Sequence, residues 1–111
     1  MTSKNVWIFA SLLVALIGLN GCASSLIGVS PGAERVSLAD ENQVAACVSK
    51  GKTIVTVLSK VGIITRSVED VEANLYQLAR NNAVADGADT LVKGESTEFG
   101  KRTFSMYKCR P

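Results

Sequence analysis

An uncharged, mostly apolar stretch of 14 residues, positions 6–19, stands ahead of Cys22, and with its flanks, the 21 residues before that cysteine, takes about a fifth of the chain out of any globular fold. It is short of the ~20 apolar residues that a permanent membrane-crossing helix needs. Lys4 precedes it, and the small residues of Leu19-Asn20-Gly21-Cys22 close it, the three-part layout of a signal peptide. The polypeptide left to fold is the 90 residues from Cys22 to Pro111, one domain at most. The 47% apolar content is inflated by the leader, which holds 13 of those residues before Cys22; the remainder is about 43% apolar, ordinary for a water-exposed domain.

Charge and composition then exclude several functions. The net charge of +2 comes without a run of like charge, which argues against binding nucleic acid through a basic face. The chain has no histidine, the commonest general base and nitrogen metal ligand. Serines and threonines are plentiful, but no base is placed to activate them, and phosphate-binding loops are absent. The acids Glu69, Asp70 and Glu72 cluster at a helix start, where dipole and capping roles account for them. The expectation is therefore a non-enzyme with no catalytic residue, no metal and no cofactor.

Leu19-Asn20-Gly21-Cys22 resembles the lipobox of bacterial lipoproteins: Leu, two small or polar residues, then Cys. The resemblance implies diacylglycerol on the Cys22 thiol, cleavage before Cys22 and acylation of the freed amine, so that the membrane is engaged through covalent lipid. One acyl chain binds reversibly, at ~0.8 kcal/mol per buried CH₂, whereas several hold a protein almost permanently. By resemblance to lipoprotein sorting in Gram-negative cells, Ala23 after the cysteine implies the outer membrane rather than the inner. The chain then divides into a signal peptide at 1–21, a lipidated N-terminus and short tether at 22–32, and a periplasmic α+β domain at 33–111. Ten tether residues reach roughly 33–36 Å at most, which keeps the domain near the membrane leaflet. Leu26, Ile27 and Val29 are apolar for a linker and are expected to lie on the domain or the lipid surface.

Periodicity sets the fold. Residues 35–38 read as a short first strand, and 51–58, rich in β-branched residues, as the clearest one. Residues 44–50 are either a helical turn, capped by Asp40 and ended by Gly51, or extended. Residues 67–87 are the clearest helix: Ser67 and Asp70 have capping-box spacing, Val68, Val71, Leu75, Leu78, Ala79 and Asn82 share one face, and Gly87 suits the left-handed C-terminal position. Residues 90–92 begin a third strand and 102–109 alternate as a fourth. The order is ββαββ, a small α+β domain with one amphipathic helix packed on a small antiparallel or mixed sheet.

With Cys22 assigned to lipid, Cys47 and Cys109 remain. An even pair in an exported domain reads as a disulfide; free thiols and a redox-active pair are the alternatives, the latter lacking C-x-x-C spacing and a neighbouring histidine. Two places invite a functional reading. Asn82 falls within the apolar helix face, where its amide either bonds a strand carbonyl or meets a ligand in a groove shared with Tyr76. The connection 59–66 carries Val61, Ile63 and Ile64, which either fold over the end of the core or meet a partner or membrane.

Cys47-Val48-Ser49-Lys50-Gly51, the β-branched strand, the segment from Ala79 to Val92 and the closing Tyr107-Lys108-Cys109 resemble the small bacterial lipoproteins of domain-of-unknown-function family 4156. The helix-to-strand junction, with Asn81, Ala83, Gly87, Ala88, Asp89, Leu91 and Val92, is distantly similar to that of the outer-membrane lipoprotein sensor of the Rcs phosphorelay. That sensor has a long proline-rich linker and four domain cysteines, where this chain has a short tether and two. The resemblance implies a disulfide-linked α/β envelope domain without known catalysis, acting by contact or sensing with an envelope protein as partner. A small-ligand or cell-wall binding module is the alternative.

Overall fold

The computed structural model describes residues 27–111; the expected signal peptide and the expected lipidation site, Cys22, lie outside the described residues. Two short strands, β1 (Ser37–Ala39) and β5 (Thr90–Lys93), and two long ones, β2 (Val48–Thr56) and β6 (Lys101–Lys108), form one sheet in the order β1-β5-β6-β2. β1 runs parallel to β5 and the other neighbours are antiparallel, so the sheet is mixed. The single α-helix among the described residues, α1 (Val68–Ala85), crosses one face. The expected α+β class holds, while the order departs from ββαββ by a further two-stranded hairpin between the second strand and the helix.

Alternation explains which face is covered. On β6, Phe104 and Met106 point toward α1; on β2 Thr53 and Val55 do so, and on β5 Leu91. α1 answers with Val71, Leu75, Ala79 and Ala83, all fully buried at i, i+4 spacing. The alanines let the helix lie close to the strands. At ~25 cal/mol per Å² of buried apolar surface, the large buried side chains Phe104, Leu75, Leu91 and Val71 dominate the hydrophobic term.

The helix begins and ends as its chemistry dictates. Ser67 Oγ accepts the Asp70 N–H at 3.2 Å, one half of a capping box. Gly87 takes a φ of +73°, the left-handed turn that closes α1, and Ala88 N–H returns to Ala83 O at 2.8 Å.

Several expectations need correction. The buried stripe excludes Val68, the first residue of α1, which is exposed, and the stripe starts one turn later at Val71; Leu78 lies at the margin. Asn82 is exposed on the flank of the stripe rather than within it. The ambiguous stretch 44–50 divides: a 3₁₀ turn, Glu41–Gln43, follows Asp40, and β2 already starts at Val48, with Gly51 in a bulge of that strand. The connection 59–66 is a β-hairpin, β3 (Lys60–Val61) paired with β4 (Ile64–Thr65). Residues 28–32, expected to be tether, lie along α1, and Ala33 is fully buried.

Cys47 and Cys109, 62 positions apart in sequence, are joined by a disulfide. It ties the segment before β2 to the end of β6. Closing a loop that long contributes ~4 kcal/mol in the chain-entropy picture. A Cys47→Ser, Cys109→Ser double variant is expected to lose up to that amount in urea unfolding, with near-native far-UV dichroism at low temperature; a loss under ~1 kcal/mol would mean that packing alone holds the C-terminal strand.

Candidate functional site

The end of the sheet where Thr56 of β2 pairs with Lys101 of β6 carries the hairpin. Its pairing leaves Gly62 and Ile63 as a two-residue turn, with Gly62 at φ +63°, the conformation the first position of such a turn demands. Because that turn reverses the chain so tightly, the β-branched neighbours cannot fold back onto the core. Ile63 is fully exposed, Leu58 is 72% exposed, Ile64 68%, Val68 64% and Val61 62%. Arg66 fixes the base of the projection: its guanidinium donates to Leu58 O at 2.9 Å and to Asn74 Oδ1 at 3.1 Å, and its N–H donates to Ser59 O at 2.8 Å. The alternative in which these aliphatics cover the core is thus not what the fold does with them.

A residue that sequence reasoning missed, Asn81, sets where the N-terminal segment runs. Its Oδ1 accepts from Ser30 N–H and from Gln77 Nε2, both at 3.0 Å, and its Nδ2 donates to Gly28 O at 2.8 Å. One amide thus holds two backbone groups of residues 28–30 against the helix. No local pattern marks this role, since the partners are about 50 residues away in sequence. The hairpin did leave a signal, β-branched residues on both sides of a glycine.

Tyr76 and Asn82 are not brought together. The Tyr76 hydroxyl donates to Val36 O at 3.4 Å, its ring meets Phe104 edge-on with centroids 6.3 Å apart, and the Arg80 guanidinium lies 4.9 Å above it. Asn82 turns to the other side, where its Nδ2 donates to the hydroxyl of the buried Thr53 at 2.8 Å. The partner is therefore a side-chain hydroxyl, not a strand carbonyl, and the two residues line no common groove.

At the opposite end of the sheet Asp89 gathers the C-terminus. Its carboxylate accepts from the backbone N–H of Cys109 (2.8 Å) and Arg110 (2.9 Å), from the Thr90 hydroxyl (2.9 Å) and from Lys108 Nζ (3.1 Å). Burial by itself raises the Asp89 carboxyl, but the hydrogen bonds from Cys109, Arg110, Lys108 and Thr90 outweigh it and hold the group well below the ordinary carboxylate range. Beside it lies an open cleft of about 380 Å³, floored by Val36, Val84 and Ala88 and rimmed by Arg35, Lys108 and Arg110. A second ion pair, Glu72 with Arg102, is bidentate at 2.8 and 2.9 Å and pins α1 to β6; the Arg102 hydrogen bond lowers the Glu72 pKa. No cluster of three or more metal-ligating side chains occurs among the described residues, and no helix there is long and apolar enough to cross a membrane.

The geometry defines a small disulfide-stapled α+β domain with an apolar projection at one end and a cationic cleft at the other. The chain belongs to a family described as a domain of unknown function, DUF4156, whose profile matches residues 28–109. That match starts at Gly28, where Asn81 first holds the backbone to α1. Comparison with curated proteins and with solved structures found no match.

Because the Asp89 pKa is lowered on folding, the stability it contributes is complete above the unfolded carboxylate pKa of ~3.9 and is lost as pH falls below it. Asp89→Asn is therefore expected to cost ~1–3 kcal/mol at pH 7 and progressively less below about pH 4. Urea titrations of both proteins across pH 2–7 would show the two stabilities converging; a constant gap would mean that the carboxylate charge is not what matters.

Proposed function

We propose that this chain is a lipid-anchored lipoprotein of the bacterial envelope, facing the periplasm from the outer membrane, whose domain acts by contact rather than catalysis. The observation that carries the contact reading is the hairpin: five aliphatic side chains, Leu58, Val61, Ile63, Ile64 and Val68, stand in solvent at one end of a rigid domain. The leader and Leu19-Asn20-Gly21-Cys22 support the anchor, through covalent lipid on Cys22, and Ala23 supports the outer membrane. The likeness of the helix-to-strand junction to the Rcs sensor supports a role in bracing or reporting on the envelope, with an envelope component as partner.

A second reading, a module for a small ligand or cell-wall fragment, is favoured by the cleft beside Asp89. An apolar floor under Arg35, Lys108 and Arg110 suits an anion with an apolar part. Much of that charge is already engaged, because Asp89 takes up Lys108 and Arg110.

A photo-crosslinking residue at Ile64 in the processed protein in living cells separates the two. The contact reading expects adducts at Ile64, to an envelope protein or to lipid, well above those from the same residue at Lys50, which lies toward the disulfide end of β2. Ile64 adducts no more abundant than those at Lys50 would remove the contact reading and shift attention to the cleft.

A further inference from the structure

The route of the N-terminal segment and the position of the hairpin have a joint consequence. Traced backwards from Ala33, the chain runs along α1 toward the helix N-terminus. Gly32 lies beside Val84, Ser30 and Gly28 are held by Asn81, and Ile27 reaches Leu78 and then a cleft it shares with Leu58, Arg66 and Asn74. From Val84 to Asn74 this path covers about 15 Å of helix. It ends at the base of the hairpin, where Arg66 grips Leu58. Four residues, Ala23, Ser24, Ser25 and Leu26, separate Cys22 from Ile27 by five chain steps, and they carry no charge. They can reach only ~16–18 Å.

We infer that the β3–β4 hairpin is a second membrane contact, with Val61, Ile63 and Ile64 inserted into the same bilayer leaflet that holds the acyl chains of Cys22. The inference rests on the proposed lipid anchor and names what the contact surface touches. Three observations favour a bilayer over a protein partner. The anchor arrives at the hairpin end, so the leaflet is already within reach. The projection offers five aliphatic side chains, where a stable protein interface takes ~20–30 residues a side. The surrounding charges also balance: Lys60, Arg66 and Lys101 stand against Glu69, Asp70 and Glu98, so the attraction is apolar rather than electrostatic. The opposite end, with the disulfide, Arg35, Lys108 and Arg110, then faces away from the membrane.

The lone tryptophan of the sequence, Trp7, lies in the leader, so the site can be probed by fluorescence. The full chain carrying Trp7→Phe and Ile63→Trp is produced in cells that process lipoproteins and reconstituted into phosphatidylethanolamine–phosphatidylglycerol vesicles, with Lys50→Trp in place of Ile63→Trp as control. Both sites are exposed, so neither change disturbs the core. The expected result is a blue-shifted emission at position 63. Quenching there should be strongest from lipids brominated at shallow acyl positions, ~5–10 Å below the interface, and insensitive to salt. The control should show neither. Unshifted, unquenched emission at position 63 from a protein that carries lipid and floats with the vesicles overturns the hairpin contact and leaves the anchor. If mass spectrometry finds no lipid on Cys22, the anchor reading falls. Quenching at position 63 in that protein would still support insertion of the hairpin, and its absence would overturn both.

Discussion

The four hydrogen bonds that converge on the Asp89 carboxylate are the constraint on which the rest of this small domain depends. The residue sits at the turn from α1 into β5. Its backbone N–H donates to Tyr107 O at 2.9 Å and its carbonyl accepts the Ser37 N–H at 3.0 Å, so β1, β5 and β6 are registered at one point. Its side chain then takes the two backbone N–H groups that follow β6, and Arg110 folds across to the carbonyls of Arg35 and Asp89. A sheet with only three residues in β1 and four in β5 has little ladder of its own to fix register. The charged acceptor supplies it, and the disulfide one residue beyond β6 holds the same end against the segment before β2.

Much of this was legible along the chain. The helix from Ser67 to Gly87 follows from its cap, its spacing and its closing glycine. The alternation of residues 102–109 puts Phe104 and Met106 on a common face, and that face is the one the structure buries. Two features were less so. The hairpin is two residues per strand, too short for alternation to register, and its aliphatics look like core cover until the turn at Gly62 throws them outward. The docking of residues 28–30 depends on Asn81, a polar residue on a helix flank whose partners are remote in sequence. Asn82 shows the converse: helical angle alone places it in the core, but the buried stripe advances by i, i+4 steps and leaves it at the margin beside Thr53.

The domain is polarised along its helix. One end concentrates the polar fastening, with Asp89, Lys108, Arg110 and the disulfide. The other presents aliphatic side chains on a short, well-braced projection. Asn81 brings the chain leading back to Cys22 toward that second end. If that cysteine carries lipid, domain and anchor are joined by a tether too short for free reorientation. Orientation against the leaflet then follows from chain geometry and apolar contact together, without a large interface.

Paramagnetic broadening across the domain tests this orientation most directly. The lipidated protein would be held in nanodiscs containing a headgroup-labelled phospholipid, and amide signal loss would be recorded residue by residue. The account predicts strongest broadening over residues 58–68 and at Ile27, fading along α1 and β2 toward Cys47, Lys50 and Cys109. Uniform broadening, or a gradient centred on the disulfide end, would contradict it.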